Sequence, residues 1–241
     1  MVRQRLEQRR NRGGSVTAAV QLLNEAAIVL LDFDGPITPL MPAPANMHAA
    51  NAARQALEQH GVTPPDEIAT TSDHLSVIRW AGTHAPGTLH DVDNACTIAE
   101  TNSAKVCTPT PGAHALLAAL HEAGTPVVIV SNNAAAAIYT YLARHQLNTY
   151  VLDVIGRPPM RPDLMKPHPH TIDDALKITG TSAHRAIIIG NSVSDIEVAK
   201  ATGVRSIGHG KTHQRGIELH EAGADAITTT IVGLVNTSPN A

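Results

Sequence analysis

Six short apolar runs, most of them rich in Val and Ile, recur along the chain. They are AIVLLDF (27–33), TPVVIVS (125–131), YVLDVIG (150–156), RAIIIGN (185–191), VRSIG (204–208) and DAITTT (225–230). A short run that is apolar without alternating polar positions is typical of a strand buried on both faces of a parallel sheet. The pattern therefore predicts six such strands.

Segments with helical spacing of apolar residues separate these runs, and several of them end in Gly, as helices often do. They cover residues 112–124, 134–147, 170–180, 194–203 and 216–224, and a further short helix is expected over 16–26. Regular alternation of strand and helix indicates an α/β protein. We therefore predict a doubly wound, mostly parallel sheet.

One long segment between the first two runs breaks this alternation. Its helix-like patterns cover 46–61, 66–82 and 88–107, and the proline-rich stretches PLMPAPA and TPTPG flank it. Proline-rich joints on both sides of a helical segment indicate an inserted unit. We predict a helical cap over 40–108, an α/β core formed by 26–39 and 109–241, and a basic tail with a short helix over 1–25.

Composition and charge narrow the partners that this fold could have. The formal net charge is −3, and aromatic residues make up 2% of the chain. The net charge provides no basic field that would attract nucleic acid or an anionic membrane. The few aromatic side chains provide no stacking platform for single-stranded nucleic acid. A basic run within the first 12 residues is interpreted as a solvated tail, with a nucleic-acid-binding arm as the alternative. We expect a small-molecule substrate, no nucleic-acid or membrane partner and no obligate protein partner.

The chain also lacks the patterns of export and of cysteine-based sites. No apolar stretch reaches the length of a membrane span, and the basic N-terminal run lacks the apolar core of a signal peptide. Cys96 and Cys107 show neither zinc spacing nor a Cys-x-x-Cys pattern. We expect a cytoplasmic protein with reduced thiols.

Polar residues follow several of the apolar runs at the point where each run ends. They are Asp32 and Asp34, Ser131 and Asn132, Asn191 and Asp195, with Lys166 shortly before a predicted helix. Because ligands of open parallel sheets bind outside the carboxyl ends of the strands, we expect these side chains to meet at one edge.

Clustered acids repel one another unless a cation lies between them. A hard cation with oxygen ligands, Mg²⁺ above all, removes this repulsion and brings a phosphate group as co-ligand. The attacking nucleophile is then either water or a carboxylate.

Four short motifs, in this order, carry a family resemblance: DFDGPIT, VVIVSNN, MKPHP and IIIGNSVSD. Together they resemble the haloacid dehalogenase (HAD) superfamily, and most closely its phosphoglycolate phosphatase-like and β-phosphoglucomutase-like branch. The insertion lies where that branch carries its helical C1 cap. The resemblance implies a Mg²⁺-dependent phosphatase that acts on a small phosphorylated metabolite through an aspartyl-phosphate intermediate.

The resemblance also implies roles for the residues of the first motif. Asp32 would be the nucleophile and a Mg²⁺ ligand. Asp34 would be the general acid and then the general base, with its backbone carbonyl on the metal. Thr38 would support the loop that carries both.

The other three motifs would bind phosphate and complete the metal site. Ser131 and the Asn132 amide would bind the phosphate, and Lys166 would neutralise its charge. Asn191 and Asp195 would complete the metal ligands. The family usually has Gly-Asp-x-x-x-Asp where this chain has Asn191, so one negative charge is missing and weaker Mg²⁺ binding is expected.

Several alternatives remain open at the level of the sequence. A phosphomutase would use the same core, and a non-catalytic phosphate-binding module is compatible with Asn191. Ser131 also fits the N-cap of the alanine-rich helix that follows it, which is compatible with phosphate binding. Lys166 taken alone fits a solvated loop, and Asp195 fits the first turn of a helix.

Overall fold

The centre of the computed structural model, which describes residues 17–235, is a six-stranded parallel sheet with the strand order β3-β2-β1-β4-β5-β6. The strands are β1 (Ile28–Leu31), β2 (Val127–Val130), β3 (Asp153–Ile155), β4 (Ala186–Gly190), β5 (Arg205–His209) and β6 (Ala226–Thr228). Five of them lie within one of the apolar runs, β5 extends one residue beyond the run over 204–208, and every pairing in the sheet is parallel. The predicted α/β fold class is confirmed.

Strand β1 lies in the middle of the sheet because it is apolar on both faces. Its Leu30 pairs with Val128 of β2 on one side and with Ile188 of β4 on the other. Val29 and Leu31 belong to the hydrophobic cluster on one face of the sheet, and the alternate residue Leu30 belongs to the cluster on the other. The period of two along a strand therefore buries every side chain of this run.

Helices cover both faces of the sheet and form the insertion. They are α1 (17–25), α2 (Ala45–Gln59), α3 (Asp66–Thr70), α4 (His74–His84), α5 (Leu89–Ala104), α6 (Ala113–Glu122), α7 (Ala135–Arg144), α8 (His170–Thr179), α9 (Val193–Thr202), α10 (His213–Glu221) and α11 (Val232–Val235). Helices α1, α6, α7 and α11 pack on one face, and α8 and α9 pack on the other. The helical part of the predicted tail is present over 17–25, whereas the basic run lies outside the described residues.

The insertion between β1 and β2 consists of α2 to α5 and contains no strand in its described residues, 40–108. It has an apolar cluster of its own, which includes Leu57, Val77, Ile78 and Cys96. The two chain segments that join it to the core are tied together, since Thr38 Oγ1 donates to the carbonyl of Thr108 over 2.8 Å. This arrangement places a small helical unit over the carboxyl ends of the strands.

Both cysteines are buried and free, as expected for reduced thiols. Within residues 17–235, no helix is long and apolar enough to cross a membrane.

Candidate active site

The loop that follows β1 turns sharply and presents two carboxylates at the edge of the sheet. The backbone N–H of Asp32 still donates to Ile189 of β4, over 2.9 Å, so the nucleophile candidate is fixed by the sheet itself. Gly35 has a φ of +113°, and a Cβ there would lie 2.4 Å from the side chain of Asn191. The turn closes where the Gly35 N–H donates to the carbonyl of Thr38 over 2.7 Å. Only glycine fits this close approach, which brings the first and fourth motifs together.

Lys166 lies between two carboxylates at the centre of the site. Its Nζ donates to Asp32 Oδ1 over 2.9 Å, to Asp195 Oδ1 over 2.5 Å and to the Val130 carbonyl over 2.9 Å. The residue is only 2% exposed. Burial by itself lowers the pKa of Lys166, but the charges of Asp195 and Asp32 outweigh it and raise that pKa above its usual value. The alternative of a solvated loop lysine is wrong, and Lys166 provides a fixed positive charge.

The two aspartates of the first motif both bind protons more readily than ordinary aspartates. Burial and the charge of Asp195 raise the pKa of Asp32 to about 7, although the Lys166 ammonium opposes the shift. Burial also raises the pKa of Asp34 above its ordinary value, against the hydrogen bond that its carboxylate accepts from the Leu40 N–H over 2.8 Å. A carboxyl with a raised pKa keeps its proton to a higher pH than an ordinary aspartate, and can therefore donate it to a leaving group.

The amide of Asn191 faces two oxygens of the first motif. One terminal atom of this amide lies 2.8 Å from the carbonyl oxygen of Asp34 and 3.1 Å from Asp32 Oδ2. With the nitrogen in this place, Asn191 donates two hydrogen bonds. The hydrogen-bonded orientation is the one that fits the protein alone, and with the oxygen there instead, three oxygen atoms converge that could serve as ligands of a cation.

This oxygen set fits Mg²⁺, which prefers carboxylate and carbonyl ligands over nitrogen or sulfur. Within residues 17–235, no group of three or more His, Cys, Asp or Glu side chains could hold a metal ion. The candidate metal site is not a group of this kind, because its three ligands would be the Asp32 carboxylate, the Asp34 backbone carbonyl and the Asn191 side-chain amide.

Asp195 has both of its carboxylate oxygens engaged by the protein. Its Oδ1 accepts from Lys166, and its Oδ2 accepts from the N–H groups of Asn191 and Ser192, over 3.1 and 3.0 Å, and from the Ser192 hydroxyl. Ser192 and Asp195 form a capping box at the start of α9. The first-turn alternative is therefore correct for Asp195, which also pairs with Lys166. That Asp195 binds a metal directly stays a prediction.

The loop after β2 connects the second and third motifs. The side-chain amide of Asn132 donates to the Lys166 carbonyl over 3.0 Å and accepts from the Lys166 N–H over 2.7 Å. Both ends of the Asn132 side-chain amide are therefore hydrogen-bonded to Lys166. The group of Asn132 that can bind a phosphate is its backbone N–H. Ser131 is fully buried beside it, and its hydroxyl oxygen accepts from the Asn133 N–H over 3.2 Å.

Ser131 is not the N-cap of α7, so that alternative is wrong. The helix begins at Ala135, and its N-cap residue is Ala134. The N–H of Ala134 donates instead to Glu100 Oε2, over 2.8 Å, and Glu100 belongs to the cap helix α5. The hydroxyl of Ser131 donates to Asn133 Oδ1 over 3.2 Å, within the same loop, and not to the helix.

The comparison with known families agrees with this geometry. A model of haloacid dehalogenase-like hydrolases matches residues 29–209, which include all four motifs. The chain belongs to this family. The resemblance read from the motifs is confirmed.

Curated relatives of this HAD-family chain include two named phosphoglycolate phosphatases. The protein of Rhodospirillum rubrum is 26% identical over 190 residues, which cover 73% of this chain and 76% of that protein. The protein of Nitrosococcus oceani is 27% identical over 126 residues, which cover 52% of this chain and 55% of that protein. The chain thus spans about half the length of the second relative.

Solved structures of the family share the fold. CbbY from Rhodobacter sphaeroides, in complex with phosphate, superposes with a TM-score of 0.62 at 18% identity, over 86% of this chain and 95% of that one. A predicted phosphoglycolate phosphatase from Haemophilus somnus superposes with a TM-score of 0.62 at 15% identity, over 86% and 96%. At these identities the likeness establishes the HAD fold.

The structure brings all the predicted site residues of this HAD chain to one edge of the sheet. Thr38 is bonded to the linker that returns from the cap and supports the loop of the two aspartates. Two buried charged residues beside them, Glu100 and Arg157, were not predicted from the sequence. Three polar residues of α5, Asp93, Thr97 and Glu100, recur at helical spacing and were the available signal.

Proposed function

We propose that this chain is a Mg²⁺-dependent phosphomonoesterase that hydrolyses a small phosphorylated metabolite through an aspartyl-phosphate intermediate. The observation that carries this proposal is the group formed by the buried Asp32 and Lys166 and the partly buried Asp34, beside the Asn191 amide. Asp32 provides the nucleophile, Asp34 the proton donor and Lys166 a fixed positive charge. Oxygen ligands for a metal lie in the same site. The curated relatives named phosphoglycolate phosphatases support the same assignment.

Two transfers of the phosphoryl group complete the proposed reaction. A carboxylate oxygen of Asp32 forms a bond to phosphorus while the ester P–O bond breaks, and Asp34 gives its proton to the departing alkoxide. The Asp34 carboxylate then takes a proton from water, whose oxygen attacks phosphorus and breaks the bond to Asp32. The products are an alcohol and orthophosphate, and both aspartates return to their starting state.

The remaining residues bind the phosphoryl group and balance its charge. The hydroxyl of Ser131 and the backbone N–H of Asn132 would donate to phosphoryl oxygens, and Lys166 offsets the charge that develops on them. Asp32, the Asp34 carbonyl and Asn191 would hold Mg²⁺, which supplies further charge stabilisation when bound. Since Asp32 is only 7% exposed, the cap must open for substrate to enter and close before the reaction.

Phosphate release tests the proposed function directly. Purified protein is incubated with 2-phosphoglycolate, a set of sugar monophosphates and p-nitrophenyl phosphate, with Mg²⁺ or with EDTA, and orthophosphate is measured. We expect Mg²⁺-dependent release from at least one small ester. Release from none of these esters would contradict the proposal, and isomerisation of a sugar phosphate without release would identify a phosphomutase instead.

The Asn191→Asp variant tests the metal site. Asn191 faces Asp32 Oδ2 and the Asp34 carbonyl, so an added carboxylate repels both in the metal-free protein and attracts a divalent cation. We expect the Mg²⁺ dissociation constant to fall by about tenfold, because the site gains one negative charge. We also expect the metal-free variant to unfold at a lower temperature than the metal-free wild type.

Isothermal titration with Mg²⁺ and thermal unfolding in EDTA measure these two effects. Asn148→Asp is the matched control, because Asn148 is exposed and lies ahead of β3, at the opposite edge of the sheet. An Asn191→Asp variant that binds Mg²⁺ no more tightly than Asn148→Asp would show that residue 191 does not contact the metal.

A further inference from the structure

A buried carboxylate of the cap lies against the loop that follows β2. Glu100 of α5 is fully buried, and its Oε2 accepts from the backbone N–H of Ala134 over 2.8 Å. Its Oε1 accepts from Asn133 Nδ2 over 3.1 Å and from Arg157 Nη1 over 2.8 Å, and lies 2.7 Å from His74 Nε2. A single cap residue thus contacts two residues of the segment 131–134, which we call the phosphate-binding loop.

Arg157 links the same helix to the same loop from the core side. It follows β3, and its side chain is 1% exposed. Its Nη1 also donates to the Asn132 carbonyl over 3.0 Å, while Nε donates to Asp93 over 2.8 Å and Nη2 to Thr97 over 3.1 Å. Asp93, Thr97 and Glu100, on one face of α5, therefore all contact the buried Arg157. Arg157 in turn contacts the backbone of the phosphate-binding loop at the Asn132 carbonyl.

The charge on Glu100 is retained in spite of its burial. Burial by itself raises the pKa of Glu100, but the charge of Arg157 and the bond to His74 outweigh it and lower the pKa to about 2. A carboxylate has two acceptor oxygens and can accept from all of these donors at once. A neutral side chain of similar size, such as glutamine, has only one acceptor oxygen.

The start of α7 would otherwise be free to bind an anion. The first N–H groups of a helix attract negative charge, and a substrate phosphate could bind to them. Glu100 occupies the Ala134 N–H, so that position is closed. The Ser131 hydroxyl and the Asn132 N–H lie one step earlier, next to Asp32 and Lys166 in the site described above, and Glu100 leaves them as the groups of this loop that face the substrate.

We infer that Glu100 is a positioning residue that fixes the phosphate-binding loop in its binding conformation, and that the loop is complete only while α5 is docked on the core. The cap then does more than cover the site, since it supplies the carboxylate that orders the phosphate-binding groups. This inference rests on the proposed function for the identity of the anion.

The Glu100→Gln variant tests the inference by the sign of its effect on phosphate binding. If Glu100 acted only through its charge, its loss would tighten the binding of an anion nearby. If it positions the loop, a glutamine can accept at only one of the two oxygen positions. Either the Ala134 N–H, now on Oε2, or Arg157 Nη1 and Asn133 Nδ2, now on Oε1, then face an NH2 group, and the loop loosens. We expect the dissociation constant of orthophosphate, measured by isothermal titration, to rise by about tenfold, with KM rising more than kcat falls.

Asp93→Asn is the matched control. It also removes a negative charge that faces Arg157, but the contacts of the Asp93 side chain are with Arg157 and the Met160 N–H rather than with the phosphate-binding loop. We expect orthophosphate binding within about twofold of the wild type in this variant. Hydrogen exchange of a peptide covering 131–135 should be faster in Glu100→Gln and unchanged in Asp93→Asn.

Asn133→Ala provides a second variant if Glu100→Gln does not fold. It removes one contact to Glu100 and the bond that Asn133 Oδ1 accepts from the Ser131 hydroxyl, and it keeps the pair of Glu100 with Arg157. We expect weaker phosphate binding, in the same direction, and faster exchange of the 131–135 peptide. Unchanged or tighter phosphate binding in Glu100→Gln, or an equal loss in Asp93→Asn, would overturn the inference. If the wild type neither binds orthophosphate nor hydrolyses an ester, the proposed function fails, and the exchange measurement still decides whether Glu100 orders the loop.

Discussion

Asp32→Asn is expected to lower turnover by at least about 10⁴-fold, because an amide cannot form the covalent bond to phosphorus on which the proposed reaction depends. The variant should fold, since asparagine has nearly the same shape and Lys166 keeps its bonds to Asp195 and to the Val130 carbonyl. The measurement is steady-state phosphate release with the best substrate of the screen, together with thermal unfolding.

Asp163→Asn is the control for this change, because Asp163 is an exposed aspartate paired with Arg161 outside the site. We expect the control to keep wild-type turnover. An Asp32→Asn variant that retains turnover within tenfold of the wild type would exclude Asp32 as the nucleophile.

Lys166→Met is expected to abolish measurable turnover and also to destabilise the fold. Without the ammonium, Asp32 and Asp195 face each other in a buried site, and no other cationic side chain of residues 17–235 forms an ion pair with either of them. Removal of one partner from a buried ion pair typically costs about 3–5 kcal/mol in the free energy of unfolding. Chemical denaturation in EDTA measures this loss, and the exposed Lys177→Met is the control.

The double variant Asp32→Asn with Lys166→Met separates the two effects of the lysine. Replacing Asp32 removes one of the unpaired charges, so we expect part of the lost stability to return without any return of turnover. A Lys166→Met variant as stable as the wild type would mean that the buried ion pairs are not formed in solution.

Most of the fold could be predicted from the sequence because its strands are buried on both faces. A run such as IVLL in β1 is apolar at every position, and this pattern distinguishes it from the surrounding amphipathic helices. The end of such a run is also the edge of the sheet, so Asp32, Ser131 and Asn191 could be assigned to one site before their contacts were known.

The contacts that order the site could not be predicted in the same way. Glu100 and Arg157 are 57 residues apart, on a cap helix and on a loop after β3, and no local pattern joins them. The partner at the start of α7 is long-range as well, because the Ala134 N–H donates to Glu100 and not to the neighbouring Ser131. Long-range pairs between the cap and the core thus determine details that periodicity and capping rules do not contain.

A phosphoryl group carried by Asp32 is the central intermediate of the proposed reaction. Wild-type protein is mixed with Mg²⁺ and its best substrate, quenched with acid during turnover, digested and analysed by mass spectrometry, with Asp32→Asn treated in parallel. We expect the mass of one phosphoryl group on the peptide that contains Asp32, removable by hydroxylamine, and none on Asp32→Asn. A phosphoryl group on another residue, or continued turnover by Asp32→Asn with no labelled peptide in either protein, would contradict the account.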